Sequence, residues 1–405
     1  MTTELRHYAI VTSGYWAFTV TDGAIRMLVV LYFHLLGYSP LEVAMLFLFY
    51  EFFGIVTNLV GGWLGARIGL NNTMHIGMGL QVVALLMLTI SEVWLSVPYV
   101  MAAQALSGIA KDLNKMSAKA SVKLLANSGD GSRLFKMVSA LTGSKNALKG
   151  AGFFVGAGLL EWLGFRGALL CLAGLLSVVL TATMISLPAG VGKMSNKPKF
   201  SQVFSSMPAI NWLAAARFFL FASRDVWFVV ALPVFLYAEL GFSFTAVGSV
   251  IAIWIIGYGA TQSLSPQLLG YSSAQSSPTG LAAFFWVTCL TGMPALIAIG
   301  LSLDWQKETV LLGGLFLFGV IFAINSAIHS YLILAYSDHD RVSMDVGFYY
   351  MSNAAGRLLG TILSGFMYQS QGITGCLWMS SGLLVVAMAI SFFLPRAQGQ
   401  QVPSE

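Results

Sequence analysis

Leu36-Gly37-Tyr38-Ser39, with Val43 four residues on, returns later in the chain as Leu240-Gly241-Phe242-Ser243 with Val247, at a single offset. Each copy follows a long apolar run and precedes another. Each therefore reads as the turn between the first and second helices of a repeated half. Working outward, apolar runs of spanning length recur with short polar breaks. Helices are expected at roughly 8–36, 41–64, 73–92, 98–119, 135–160 and 165–187. A second set follows at roughly 209–238, 243–265, 279–301, 309–335, 344–368 and 373–394. The breaks carry turn chemistry, as in Gly37-Tyr38-Ser39-Pro40, Asn71-Asn72 and Ser277-Pro278. The longest break, 188–208, contains Pro, Gly and Ser with Lys193, Lys197 and Lys199, and reads as a linker. The organisation expected is a six-helix half at 1–187, a cytoplasmic linker at 188–208 and a second half at 209–405.

Composition agrees. Of the 405 residues 57% are hydrophobic and only 9% charged, with a mean hydropathy of +0.79. That excludes an ordinary soluble enzyme, a disordered chain and a disulfide scaffold. An all-α polytopic membrane protein with 12 transmembrane helices fits, since only lipid can cover so much apolar surface. The three cysteines, Cys171, Cys289 and Cys376, lie far apart in apolar runs. They suggest neither a redox pair nor a metal site. No cleavable signal peptide is visible, because Ala9 onward reads as one long helix.

Orientation follows from the positive-inside rule. With the N-terminus inside, thirteen bases fall on the cytoplasmic side: Arg6, Arg67, Lys111, Lys115, Lys119, Lys123, Arg133, Lys136, Lys193, Lys197, Lys199, Arg341 and Arg396. Only Arg166 and Lys307 fall outside. Both termini are expected in the cytoplasm.

Six bases remain within spans: Arg26, Lys145, Lys149, Arg217, Arg224 and Arg357. Unpaired at helix centres they would cost roughly 15–21 kcal/mol together. Few acids offset them: Asp22, Glu51 and Asp225. At 1.5 Å per residue, Asp22, Lys149, Arg224 and Arg357 lie about 18–22 Å from the cytoplasmic ends of their helices, with Lys145 at about 15 Å. That depth is near the midplane. Arg217 is shallower, at about 12 Å, and reads as an interfacial snorkeler. Lys145 and Lys149 share a helix face and repel, which suits an anion held between them, or else they snorkel apart or pair with Glu51 or Asp225. Asp22 and Arg26 are one turn apart, either an ion pair or a binding Arg beside an acid. Arg224 and Asp225 are adjacent and expected to point in different directions.

Arg26, Lys145, Lys149, Arg224 and Arg357 are thus the candidate substrate-binding residues, since guanidinium forks and ammonium points suit oxyanions. Lys145, Lys149, Arg224 and Arg357 are expected to hold an anion together. Glu51, Asp22 and Asp225 are candidates for proton coupling, with His34 and His329 as weaker relays. Lys111, Lys115 and Lys119 fall on one face and read either as a cytoplasmic anion funnel or as headgroup contacts.

Other patterns carry less. Gly150-Ala151-Gly152-Phe153-Phe154-Val155-Gly156 lies in an apolar helix with no preceding strand, so it is a packing motif and not a dinucleotide loop. No Walker A sequence, catalytic triad or metal-ligand cluster is present. The chain reads as neither an enzyme nor a nucleic-acid binder, and no cofactor or metal is expected. A sensor would need a soluble output domain, and none is visible.

Gly62-Trp63-Leu64-Gly65-Ala66-Arg67-Ile68-Gly69 resembles the major facilitator loop signature G-x-L-x-D-R-x-G-R-[RK]. Gly62, Leu64, Arg67 and Gly69 fit, Ala66 replaces the Asp, and Leu70 and Asn71 replace the bases. The parallel repeat of six-helix halves also fits that architecture. More specifically, nearly the whole chain resembles the ArsJ group of organoarsenical efflux permeases. The resemblance is carried by Thr21-Asp-Gly-Ala-Ile-Arg26-Met-Leu-Val29, Ala105-Leu-Ser-Gly-Ile-Ala-Lys111-Asp-Leu-Asn-Lys115-Met-Ser-Ala-Lys119, Leu141-Thr-Gly-Ser-Lys145-Asn-Ala-Leu-Lys149-Gly150 and Ala216-Arg217-Phe-Phe-Leu-Phe-Ala-Ser-Arg224-Asp225-Val-Trp-Phe-Val-Val230.

The resemblance implies a major facilitator fold in a bacterial inner membrane. It also implies export of 1-arseno-3-phosphoglycerate, which glyceraldehyde-3-phosphate dehydrogenase makes when arsenate replaces phosphate. The carrier would act as a monomer. It brings no residue-level site, so the site residues rest on the charge pattern. Scattered cysteines do not supply the clustered thiolates that arsenite would need. An exporter of another organic anion, a sugar phosphate or a drug is the alternative.

Overall fold

The computed structural model describes residues 3–37, 46, 48–126, 130–194, 198–271, 277–303 and 305–396. Tyr38, Ser39, Val43 and Lys197 lie outside these residues, as do the side chains of His34 and Glu51.

Twelve helices are present among the described residues. They are α1 (Thr3–Leu35), α2 (Leu48–Ile68), α3 (Leu70–Met87), α4 (Val97–Leu125), α5 (131–163) and α6 (165–186). Then come α7 (Pro208–Phe228, prolonged by Ala231–Ala238), α8 (Phe244–Leu268), α9 (Gly280–Ser302), α10 (Lys307–Tyr336), α11 (342–371) and α12 (373–391). Seven helical stretches are long and apolar enough to cross a membrane, and two of these are the pairs α5–α6 and α11–α12. Side chains such as Trp162, Ile185 and Phe366 are exposed, as lipid-facing residues are.

The junctions show how little chain separates one helix from the next. Gly164 alone separates α5 from α6, with φ 68°, and Gly372 alone separates α11 from α12, with φ 64°. Both angles lie in the left-handed region that favours glycine. The repeated turn behaves alike where it is described: Gly37 has φ 89° and Gly241 φ 69°. In the second copy the Ser243 hydroxyl caps α8 by accepting from the Ala246 N–H at 3.2 Å.

The chain gathers into two compact units. Unit 1 is Met1–Ser128, Ser144–Phe204 and Ser337–Met351; unit 2 is Gly129–Gly143, Ser205–Tyr336 and Ser352–Glu405. Unit 1 buries Leu28, Phe33, Leu85 and Leu169, with Tyr32 stacked on Phe165 at 3.9 Å. Here the chain that follows α6 is tied to the end of α2 and the start of α3. Leu70 N–H donates to the Val191 carbonyl at 2.7 Å, Met194 N–H to that of Ala66 at 2.8 Å, and Trp63 Nε1 to that of Pro198 at 3.0 Å. Unit 2 buries Trp227, Trp254, Phe318 and Phe322.

Within each unit two helices cross at a glycine seam. A Cβ on Gly152 of α5 would stand 2.7 Å from the Val20 carbonyl of α1, and one on Gly156 2.6 Å from that of Ala24. In unit 2 a Cβ on Gly356 of α11 would strike the Phe218 carbonyl of α7, and one on Gly360 would stand 2.6 Å from that of Ala222. Helices approach this closely only where small residues meet backbone.

Candidate functional site

The α1–α5 seam of unit 1 places Asp22 opposite Lys149. Asp22 is 2% exposed; its Oδ2 lies 3.5 Å from Lys149 Nζ. Its Oδ1 accepts a hydrogen bond from the Tyr50 hydroxyl at 2.6 Å. Arg26, one turn on, sets its guanidinium 4.5 Å from the centre of the Tyr50 ring. Lys145 Nζ donates to Asn146 Oδ1 at 3.4 Å.

The lysine stripe of α4 is drawn in as well. Lys111 and Lys119 are buried. Lys111 Nζ lies 3.8 Å from the Tyr50 ring centre and 3.8 Å from Asp112 Oδ2. Lys115 bonds to Asp112 Oδ1. Lys119 donates to the Tyr350 hydroxyl, and both Lys115 and Lys119 lie within 5 Å of that ring's centre, at 4.9 and 4.6 Å. Distances of this order are those of cation–π attraction.

In unit 2 the α7–α11 seam places one carboxylate between two guanidiniums. Asp225 is wholly buried. Its Oδ1 is held by Arg224, and its Oδ2 accepts from Arg357 Nε at 3.1 Å. The expectation that Arg224 and Asp225 point apart is corrected: their Cα–Cβ directions diverge, but the three-methylene arm of Arg curls back along the helix. Arg224 also lies 4.7 Å from the Phe221 ring centre and 5.5 Å from that of Phe322.

Arg217 is corrected too. It is no snorkeler: it is 3% exposed. Nε donates to Asn353 Oδ1 at 2.9 Å, and an Nη donates to Ser326 Oγ at 3.0 Å. Gln262 Nε2 also donates to Ser326 Oγ, at 3.3 Å. Hydrogen bonding inside the fold satisfies the guanidinium, so it has no need to reach the interface. On α10 His329 and Asn325 are fully buried, and their polar side-chain atoms make no hydrogen bond among the described residues.

Sequence reading had passed over Tyr50, Tyr350, Asn353 and Ser326. Nothing distinguishes them among 14 tyrosines and many polar residues in apolar helices. Their role is set by which helix lies opposite. The functional candidates it did find fall into two groups, with Asp22, Arg26, Lys111 and Lys149 in unit 1 and Arg224, Asp225 and Arg357 in unit 2.

A bundle of apolar helices, in which buried charges sit at glycine seams, is the build of a membrane carrier. The sequence profile of the Major Facilitator Superfamily matches residues 11–333, and the chain belongs to that superfamily. Solved structures agree on the fold. The human organic anion transporter MFSD10 (TETRAN) superposes with a TM-score of 0.77 at 15% identity, over 96% of this chain and 100% of that one. A bacterial homologue of the iron transporter ferroportin, in an outward-facing state, gives 0.73 at 14% identity over 95% and 98%. The E. coli fucose:proton symporter FucP gives 0.74 at 10% identity over 98% and 100%. At such identities the likeness concerns the fold alone. No curated protein sequence matches the chain.

Proposed function

We propose that this carrier exports a small organic arsenical anion, 1-arseno-3-phosphoglycerate, from the cytoplasm and so confers arsenate resistance. The observation that carries the anion reading is the gathering of basic side chains around two buried aspartates, Asp22 and Asp225. Asp225 holds both Arg224 and Arg357, and Asp22 with Lys149 lies beside Tyr50, against which Arg26 and Lys111 rest. Each group gathers bases of the kind that bind oxyanions, since guanidinium groups fork onto arsenate or phosphate oxygens. Arg26, Lys145, Lys149, Arg224 and Arg357 are the proposed substrate contacts, with Lys111 and Lys115 on the cytoplasmic approach. The arsenical identity is supported by the resemblance to the ArsJ group.

The setting proposed is a bacterial inner membrane with both termini cytoplasmic, from the thirteen-to-two distribution of basic residues. The functional partner is the glyceraldehyde-3-phosphate dehydrogenase that makes the substrate, and the carrier works as a monomer. Asp22, Asp225 and Glu51 are the groups proposed to exchange protons. The deciding test is arsenate tolerance in an arsenate-sensitive bacterium, with and without the partner dehydrogenase. Tolerance that needs both genes supports the reading. Unchanged sensitivity with the carrier in the membrane sinks the arsenical substrate and leaves another organic anion or sugar phosphate, which the same cations would serve.

A further inference from the structure

One side of α10 changes character along its length. Phe318 and Phe322 stack at 5.5 Å, and Phe221 of α7 meets Phe322 edge to face at 5.1 Å. That contact fixes which side of α10 faces α7. At 3.6 residues per turn Asn325, Ser326 and His329 continue the same side, with Ser330 at its border. A polar segment thus follows an aromatic one, and its four residues are all buried. Ser326 shows what such a group does when it serves the fold: its Oγ accepts from an Arg217 Nη at 3.0 Å and from Gln262 Nε2 at 3.3 Å. Its neighbours differ. Among the described residues, neither amide atom of Asn325, neither ring nitrogen of His329 and not the hydroxyl of Ser330 makes a hydrogen bond. These side chains are 0%, 1% and 1% exposed. Buried polar groups are rarely left so unless something else meets them.

The atoms themselves say what meets them. Asn325 Oδ1 can only accept, and a neutral imidazole carries one accepting nitrogen beside its donor. A fully ionised phosphate or arsenate group also only accepts, so it satisfies neither. A hydroxyl group donates and accepts at once. We propose that Asn325, His329 and Ser330 form a hydroxyl-recognising subsite inside unit 2, and that the cargo is a small hydroxylated organic anion. Arg224, a proposed substrate contact, lies 5.5 Å from the Phe322 ring centre, and Phe322 is one turn from Asn325. Anion contact and hydroxyl subsite therefore share the α7–α10 seam, one aromatic ring apart. The subsite rests on the anion-carrier reading and narrows its substrate class, but it does not depend on arsenic.

The test is binding to the purified full-length protein, by isothermal titration, of 3-phosphoglycerate, of 3-phosphopropionate, which lacks only the hydroxyl, and of inorganic phosphate. The wild type should prefer 3-phosphoglycerate to 3-phosphopropionate by about five- to tenfold, one hydrogen-bonding group's worth. Asn325→Leu and His329→Leu should bring that ratio close to one. His329→Gln keeps a donor and an acceptor and should keep most of the ratio. Ser330→Ala should narrow it by about two- to threefold. A merely structural role would weaken both organic probes together and leave the ratio as it was, which overturns the subsite. Equal affinities in the wild type also overturn it, since water would then be the partner of these atoms. Where the Leu variants do not fold, Ser330→Ala decides: an unchanged ratio overturns the subsite. Phosphate bound without any hydroxyl preference sinks the subsite and spares the anion-carrier reading, whereas failure of all three probes to bind sinks that reading and the subsite with it. Hydroxyl preference in a carrier that gives no arsenate tolerance sinks the arsenical cargo and keeps the subsite.

Discussion

The α1–α5 seam and the α7–α11 seam are the same piece of backbone with different wiring. Gly152 and Gly156 meet the carbonyls of Val20 and Ala24; Gly356 and Gly360 meet those of Phe218 and Ala222. In that register Arg26, two residues past Ala24, matches Arg224, two residues past Ala222. Their counterparts differ. Arg26 rests on an aromatic ring, while its helix's acid, Asp22, faces Lys149. Arg224 is clamped by its own neighbour Asp225, which also takes Arg357. The lesson is a division of labour. Small residues set the helix crossing and belong to the repeat. The charges are placed separately in each unit and, on the proposed reading, serve the cargo.

The strongest way to break this comparison is at the glycines. Gly152→Val and Gly356→Val should each abolish properly folded protein, because a branched side chain would meet backbone in both seams. Overpacking commonly costs about 1–3 kcal/mol, and backbone leaves less room to relax than side chains do. Gly158→Ala and Gly365→Ala, where a Cβ meets nothing within 4 Å, should behave as wild type. Size-exclusion profiles and thermal unfolding in detergent would check this. Tolerance at one seam and not the other would show that the two are not equivalent.

Next come the acids. Asp225→Asn strands two partly buried arginines and should cost at most about 3–5 kcal/mol, reduced by the solvent screening of Arg357. Asp22→Asn strands one lysine and can still accept from Tyr50, so about 1.5–3 kcal/mol is expected. The melting temperature should therefore fall further for Asp225→Asn. Equal falls would remove the proposed difference in wiring.

The matched bases sharpen the comparison in function. Arg224→Gln and Lys149→Gln should insert normally yet lose about 10- to 150-fold in substrate affinity, one charge-assisted contact each. Arg224→Lys should recover only part, since an ammonium lacks the fork. Efflux from everted vesicles at low substrate is the measurement. Wild-type rates in both Gln variants would make these charges structural.

The smallest effect is expected outside both seams. Cys171 and Cys289 are exposed, and buried Cys376 makes only a weak contact to the Ser364 carbonyl at 3.7 Å. Replacing all three by Ala should leave arsenate tolerance nearly intact. Complete loss at normal expression would point to thiol chemistry and away from an oxyanion.

Much of the fold was legible because lipid imposes a simple rule. A stretch that crosses hydrocarbon must be helical, apolar and of a set length. Hence α8 and α9 fall within a few residues of the stretches read from hydropathy. Even the break at Gly164 lies between the two apolar runs expected there. The site was legible only as an inventory. Arg26, Lys149, Arg224 and Arg357 stood out because a charge in an apolar helix is conspicuous. What each one touches was not, and two readings changed with it. Arg217 turned from an interfacial residue into a buried donor to Asn353 and Ser326, and Arg224 turned back onto Asp225.

By itself, then, the sequence determined a twelve-helix chain in two related halves, carrying more bases than acids within its apolar runs. Those properties are one-dimensional: run length, charge and repetition survive in any order of helix packing. Only the tertiary structure decided which base meets which acid, that Tyr50 and Tyr350 seat the lysines of α4, and that glycines bring α1 onto α5 and α7 onto α11. These depend on which helix lies opposite and at what height. A tyrosine in an apolar helix looks the same in sequence whether its ring meets lipid or a lysine.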